Sequence, residues 1–188
     1  MINIEQAKNI YLNFIKKDYP IKITRDLETA RNWLNNIAKG KERTGIVASS
    51  GAIRLRPFGL NVKAKIDAPI WFLNDKEDIR SSFFLEEVAT EFDIQGLELD
   101  WTCVAWDGDF YFNNNQWNYK KFTGTTWKNN TNPERIKYLI NSYRVLLTRA
   151  RQGMILFIPF GNPNDLTRPS LIYDGTFNFF KSIGIEEI

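Results

Sequence analysis

Arg149 and Arg151 stand two residues apart in the stretch YRVLLTRARQGMILFIP, Tyr143 to Pro159, where an apolar helical run meets a strand-like one. Guanidinium groups are planar, forked donors that suit phosphate. One cation at a helix C-terminus is explained by the macrodipole; a Thr-Arg-Ala-Arg run asks for more. A second group follows the apolar stretch 44–50: in SSGAIRLR, Ser49, Ser50 and Gly51 offer hydroxyls and backbone N–H groups at a helix start, a natural phosphate site, with Arg54 and Arg56 just behind. The pattern G-x-x-x-x-G-K-S/T of a phosphate loop is absent from the sequence. A third group is TEFDIQGLELD, Thr90 to Asp100. There Gln95 and Gly96 make a tight turn before Glu98 and Asp100. Read with Asp107 and Asp109, those acids form a candidate metal-binding carboxylate set, although the lysine that a nuclease of this kind would want is missing from the run. A fourth group pairs aromatics with cations: Trp71 and Phe72, then Trp117, Tyr119, Lys120, Lys121, Phe122, Trp127 and Lys128. Such pairs serve single-stranded nucleic acid.

Composition narrows the options. The sequence has no histidine, which excludes Ser-His-Asp triads, Cys-His dyads and His-containing zinc sites within it. The single cysteine, Cys103, lies in an apolar run and reads as a small core residue; one cysteine makes no internal disulfide, which suits a reducing cytosol. A net charge of +3 permits a nucleic-acid partner without demanding one. No stretch approaches the ~20 apolar residues of a membrane span, so a cytoplasmic protein without a membrane partner is expected.

The positioning elements follow from periodicity. Residues 4–17 predict an amphipathic helix with Tyr11 and Phe14 in the core. A strand at 21–24 and a helix from Asp26 to about Ile37 come next. Strands are predicted at 44–50, 68–73, 86–91, 100–107 and 154–158, and a short helix at 51–59. Asn132-Pro133 starts a long helix that runs to Gln152 and is ended by Gly153; a last helix covers about 174–183. Residues 108–130, rich in Asn and aromatics, predict an aromatic β-hairpin insertion. Strands alternating with helices, several without polar alternation, give an α/β fold: a mostly parallel β-sheet flanked by helices on both faces. In such sheets chemistry gathers at the C-terminal ends of the strands.

GLELD, followed some 45 residues later by LLTRARQGM, resembles motifs V and VI of superfamily 1 helicases, and GIVASSGAIRLR resembles the motif IV region. From about Thr44 to Ile185 the chain is similar to the C-terminal part of the Schlafen group 3-like DNA/RNA helicase family. The resemblance implies one RecA-like domain over 1–188, the second motor domain of its kind, with residues 1–40 as a helical segment packed on it. It implies that Arg149 is an arginine finger, that Glu98 meets a nucleotide ribose, and that Gln95, Gly96 and Arg151 lie near the phosphates. Ser49, Ser50, Arg54, Arg56, Thr90 and Trp71 fall on its nucleic-acid side. ATP and Mg2+ would be held mainly by a first, N-terminal RecA-like domain of the same protein, which supplies the phosphate loop that this sequence lacks; DNA or RNA would cross both. The chain by itself is then expected to be inactive, as a fragment of a longer protein. Two other readings stay open: a non-catalytic nucleic-acid-binding or interaction module with the same fold, and a carboxylate-metal nuclease.

Overall fold

The computed structural model describes residues 3–188. The chain opens with α1 (Ile4–Ile10), capped by the Asn3 side chain, and continues through a wider π turn at Tyr11–Ile15. β1 (Ile21–Thr24) leads into α2 (Leu27–Ile37), whose first turn is capped by Asp26 accepting from the Thr29 N–H. β2 (Thr44–Ala48) is buried along its length and runs into a 3-10 turn at Ile53–Phe58. After α3 (Ala68–Leu73) come β3 (Val88–Thr90) and β4 (Leu99–Ala105). β5 (Phe110–Asn113), β6 (Gln116–Thr123) and β7 (Thr126–Asn129) form a meander. α4 (Pro133–Leu147), β8 (Ala150–Phe157), α5 (Ser170–Ser182) and β9 (Glu186–Glu187) complete the order.

Six strands make one sheet in the order β3-β2-β4-β8-β1-β9, and every pairing in it is parallel. Its two faces carry separate apolar layers. On one, Leu27, Ala30 and Leu34 of α2 cover Ile46, Cys103 and Ile155. On the other, Tyr143 and Leu146 of α4 and Phe177 of α5 cover Val47, Val104 and Leu156. Burial on both faces explains why these strands read as continuous apolar runs. It also pushes the Cys103 thiol pKa up to about 12, which leaves it inert at neutral pH. The architecture is the RecA-like α/β sheet expected, and β1 lies inside it, so residues before 40 contribute a strand as well as helices.

Several expectations need correction. Residues 68–73 are helical: Asp67 accepts from the Ile70 N–H and Pro69 sits in the first turn, a start signal that outweighs the strand-like apolar run. The aromatic insertion is a three-stranded antiparallel sheet, built on two two-residue turns. In the first, Asn114 and Asn115 take φ of 50° and 58°, the mirror-type geometry that matches strand twist. Phe14 is 78% exposed, because the π turn rotates the stripe out of phase and leaves Tyr11 as the buried aromatic.

The largest correction concerns α4. It stops at Leu147, five residues before Gln152. The Thr148 hydroxyl bonds back to the carbonyl of Arg144 at 2.8 Å, and the Arg149 carbonyl accepts from Leu99 N–H at 2.8 Å, so the sheet claims the chain there. Gly153 is no helix terminator. It lies within β8, where a Cβ would come within 2.6 Å of the Pro20 carbonyl and 2.7 Å of the Trp101 ring.

Candidate nucleotide edge and nucleic-acid groove

The predicted site residues divide between the two ends of the sheet. Glu98 precedes β4, and Arg149 and Arg151 flank the first residue of β8, so all three lie where strands begin. Ser49, Ser50 and Thr90 lie where β2 and β3 end. The rule that chemistry sits at strand C-terminal ends therefore describes only the second group.

At the N-terminal edge, Leu99 pairs with Ala150 and Trp101 with Gly153, so β8 holds one residue more than β4 in that interval. Such a bulge re-aims side chains. It turns Arg151 and Gln152 onto one carboxylate oxygen of Asp100, at 2.7 and 3.3 Å, while the other oxygen of Asp100 accepts the Arg43 backbone N–H at 2.7 Å. Arg151 remains 60% exposed and is raised further in pKa by Asp100. Arg149 is different. Its guanidinium forms no ion pair among the described residues, and its Nε is buried without a hydrogen-bond partner. Glu98 is exposed beside this edge, but Gln95, expected near the phosphates with it, lines the groove at the opposite end of the sheet, and the exposed Gly96 between them takes the left-handed φ of 76° that its turn requires.

At the opposite end a groove of about 740 Å³ opens between the ends of β2 and β3, the meander and α4. Its rim carries Lys63, Lys120, Lys121 and Arg135. Phe92 and Tyr138, 66% and 73% exposed, stand along it with Phe122. Its floor is acidic. The Ser50 N–H and hydroxyl both donate to Glu91 at 2.8 Å, and the Ser142 hydroxyl adds a third bond at 3.0 Å. The Ser49 hydroxyl donates to Asp109 at 2.6 Å, and the Tyr143 hydroxyl at 2.7 Å. Burial, reinforced by the charge of Asp107, raises the Asp109 carboxyl to about 7 against the pull of those two donors. Both serine hydroxyls predicted to meet phosphate are thus already engaged by the chain's own acids. Thr90 likewise turns its hydroxyl onto Asp93 at 2.6 Å.

Arg54 is held by Asp165 at 2.8 Å and lies over Phe122, while Arg56 is exposed. Trp71 is corrected outright. It is fully buried under β2, against Gly45, and offers no face to a base. Trp117 packs on Trp106 and Phe110, so this part of the insertion builds core. The four-carboxylate set does not assemble: Glu98 and Asp100 stand at the start of β4 and Asp107 and Asp109 beyond its end, roughly 20 Å apart along a strand of that length. No group of three metal-ligating side chains occurs among the described residues.

Sequence reasoning missed Glu91, Phe92, Arg135, Tyr138 and Ser142. The last three recur at i, i+3 and i+7 on α4, a polar and aromatic stripe that continues at i+11 into the buried Leu146; that spacing was a readable signal.

The all-parallel sheet flanked by helices is a RecA-like α/β fold, with a cationic edge at its strand starts and a groove rimmed by cations and aromatics at its strand ends. The family model for the Schlafen group 3, DNA/RNA helicase domain matches residues 2–159, and the chain belongs to that family. The matched span contains both ends of the sheet and the meander. No curated protein and no solved structure matches the chain.

Proposed function

We propose that this domain is the second motor lobe of an ATP-driven helicase or translocase that moves on single-stranded DNA or RNA. The observation that carries the reading is Arg149. A guanidinium without an acid of its own, with a buried and unpartnered Nε, is an anion ligand waiting for an anion from outside the domain. Phosphate held by a facing first lobe fits it, and Mg2+ would be held mainly by that lobe with its phosphate loop. ATP supplies the transferable phosphoryl group when bound. Arg149 then neutralises charge developing on that group, Arg151 is oriented by Asp100 beside it, and Glu98 borders the same edge as a hydrogen-bond acceptor for a ribose hydroxyl. The groove at the opposite end holds the strand, with cations for its phosphates and Phe92 and Tyr138 for its bases.

The test joins this domain to a phosphate-loop lobe of the same family and compares it with its Arg149→Ala variant. Nucleic-acid-stimulated ATP turnover is expected to fall about 10³-fold or more with nucleotide binding retained; unchanged turnover overturns the finger role. A second reading, a binding module without ATP coupling, rests on the groove alone and predicts strand binding indifferent to Arg149.

A further inference from the structure

Resting on that reading of the groove, we infer that it takes one unstacked nucleobase bearing an exocyclic amine, cytosine above all, with Glu91 as the acceptor. Charge is sorted by depth in the groove. Cations ring the rim while Glu91 and Asp109 line the floor. A phosphate pressed onto the floor meets like charge; a phosphate at the rim meets lysine. The strand therefore sits with its backbone at the rim, and only a neutral group goes deep.

Glu91 is 6% exposed, and no cation pairs with it among the described residues. The Ser50 N–H and hydroxyl fix its orientation, and the Ser142 hydroxyl, which also lies 3.0 Å from the Tyr138 carbonyl, can add at most a third bond. A carboxylate has about four lone-pair sites, so at least one is left for a further donor. An amine on a base edge satisfies it, as acidic side chains do for cytosine N4; a carbonyl at the same position is another acceptor and is repelled.

Phe92 and Tyr138 expose aromatic surface beside that floor. A planar ring entering between rim and floor gains stacking from them, which is indifferent to base identity. Stacking thus gives affinity and Glu91 gives choice.

The experiment is fluorescence anisotropy on the 188-residue chain with labelled oligo-dC and oligo-dU of equal length, at fixed salt and mildly alkaline pH. These polymers differ at the amine-or-carbonyl edge and share a backbone. The wild type is expected to bind oligo-dC about tenfold more tightly. Glu91→Gln, nearly isosteric and able to donate as well as accept, brings the two within about twofold; Lys120→Ala weakens both alike and keeps the ratio. The wild-type comparison depends on no variant folding. Equal, measurable binding of both polymers overturns the base reading and leaves the strand groove standing. A preference that survives Glu91→Gln also overturns it, by assigning the choice to another group. Binding of neither polymer overturns the groove itself.

Discussion

Asp100 and Arg151 are joined by a 2.7 Å ion pair across the bulge between β4 and β8, and Arg149, two residues earlier, has no such partner among the described residues. The pair is unequal. Asp100 is buried and also holds a backbone N–H, whereas Arg151 is largely exposed. Asp100→Ala strands that N–H and is expected to cost about 1–3 kcal/mol. Arg151→Ala removes only a solvent-screened contact and should cost less than about 1 kcal/mol. Urea midpoints of the two variants check the asymmetry.

Arg149→Met separates stability from function. It deletes a buried Nε that nothing satisfies, so folding stability is expected to stay level or rise by up to about 1 kcal/mol, while phosphate-dependent activity in the two-lobe assembly is lost. A clear drop in melting temperature would mean that the guanidinium serves the fold.

The Asp109 carboxyl is raised to about 7 in the folded protein, well above its ordinary value near 3.8, because burial and the charges of Asp107 and Glu91 outweigh the opposing pull of the Ser49 and Tyr143 donors. The folded state thus binds the proton more tightly than the unfolded chain. As far as this group is concerned, stability is highest and flat below about pH 4, declines as pH rises from there to about 7, and is flat again above that. Asp109→Asn should flatten this slope in chemical denaturation measured across the same window.

Gly153→Ala tests the reason for that glycine. Its backbone is not left-handed; space is what it lacks, between Pro20 and Trp101. Overpacking there should cost about 1–3 kcal/mol, seen as a lowered Tm. A neutral result would mean that β1 and β8 can part slightly.

Two aromatics with opposite roles make a matched pair. Trp71→Ala empties the core and should cost about 3–5 kcal/mol. Phe92→Ala, at an exposed site, should change stability by no more than about 0.5 kcal/mol. Its effect should instead be weaker single-strand binding, by about tenfold. Thermal melts and anisotropy on the same preparations distinguish the two.

Periodicity made the sheet readable because strands buried on both faces are runs of apolar residues, as in Thr44–Ala48 and Leu99–Ala105. Caps made α2 and α4 readable at their starts, through Asp26 and Asn132. What failed was where tertiary contacts decide. The end of α4 is set by β4 taking the Arg149 carbonyl, and Gly153 is set by Pro20 from far along the chain. The LLTRAR run and the GLELD turn were legible from spacing, while the groove was not, since Glu91, Lys120 and Tyr138 come from three elements that only the topology brings together.

Residues 91–98 run from the last residue of β3, level with Ala48, back to the start of β4, below Thr44. That is a drop of roughly 20 Å, covered by a contour of at most about 30 Å. Hydrogen-bonded turns at Thr90–Ile94 and Ile94–Leu97 take up most of the difference, and Ile94 is pinned in the core. The link is a short tether with almost no slack. Under the proposed function, a pull on Phe92 by a bound strand would reach Glu98 on the far side, and the stretch that grips the track would also set the aim of the residue facing the fuel.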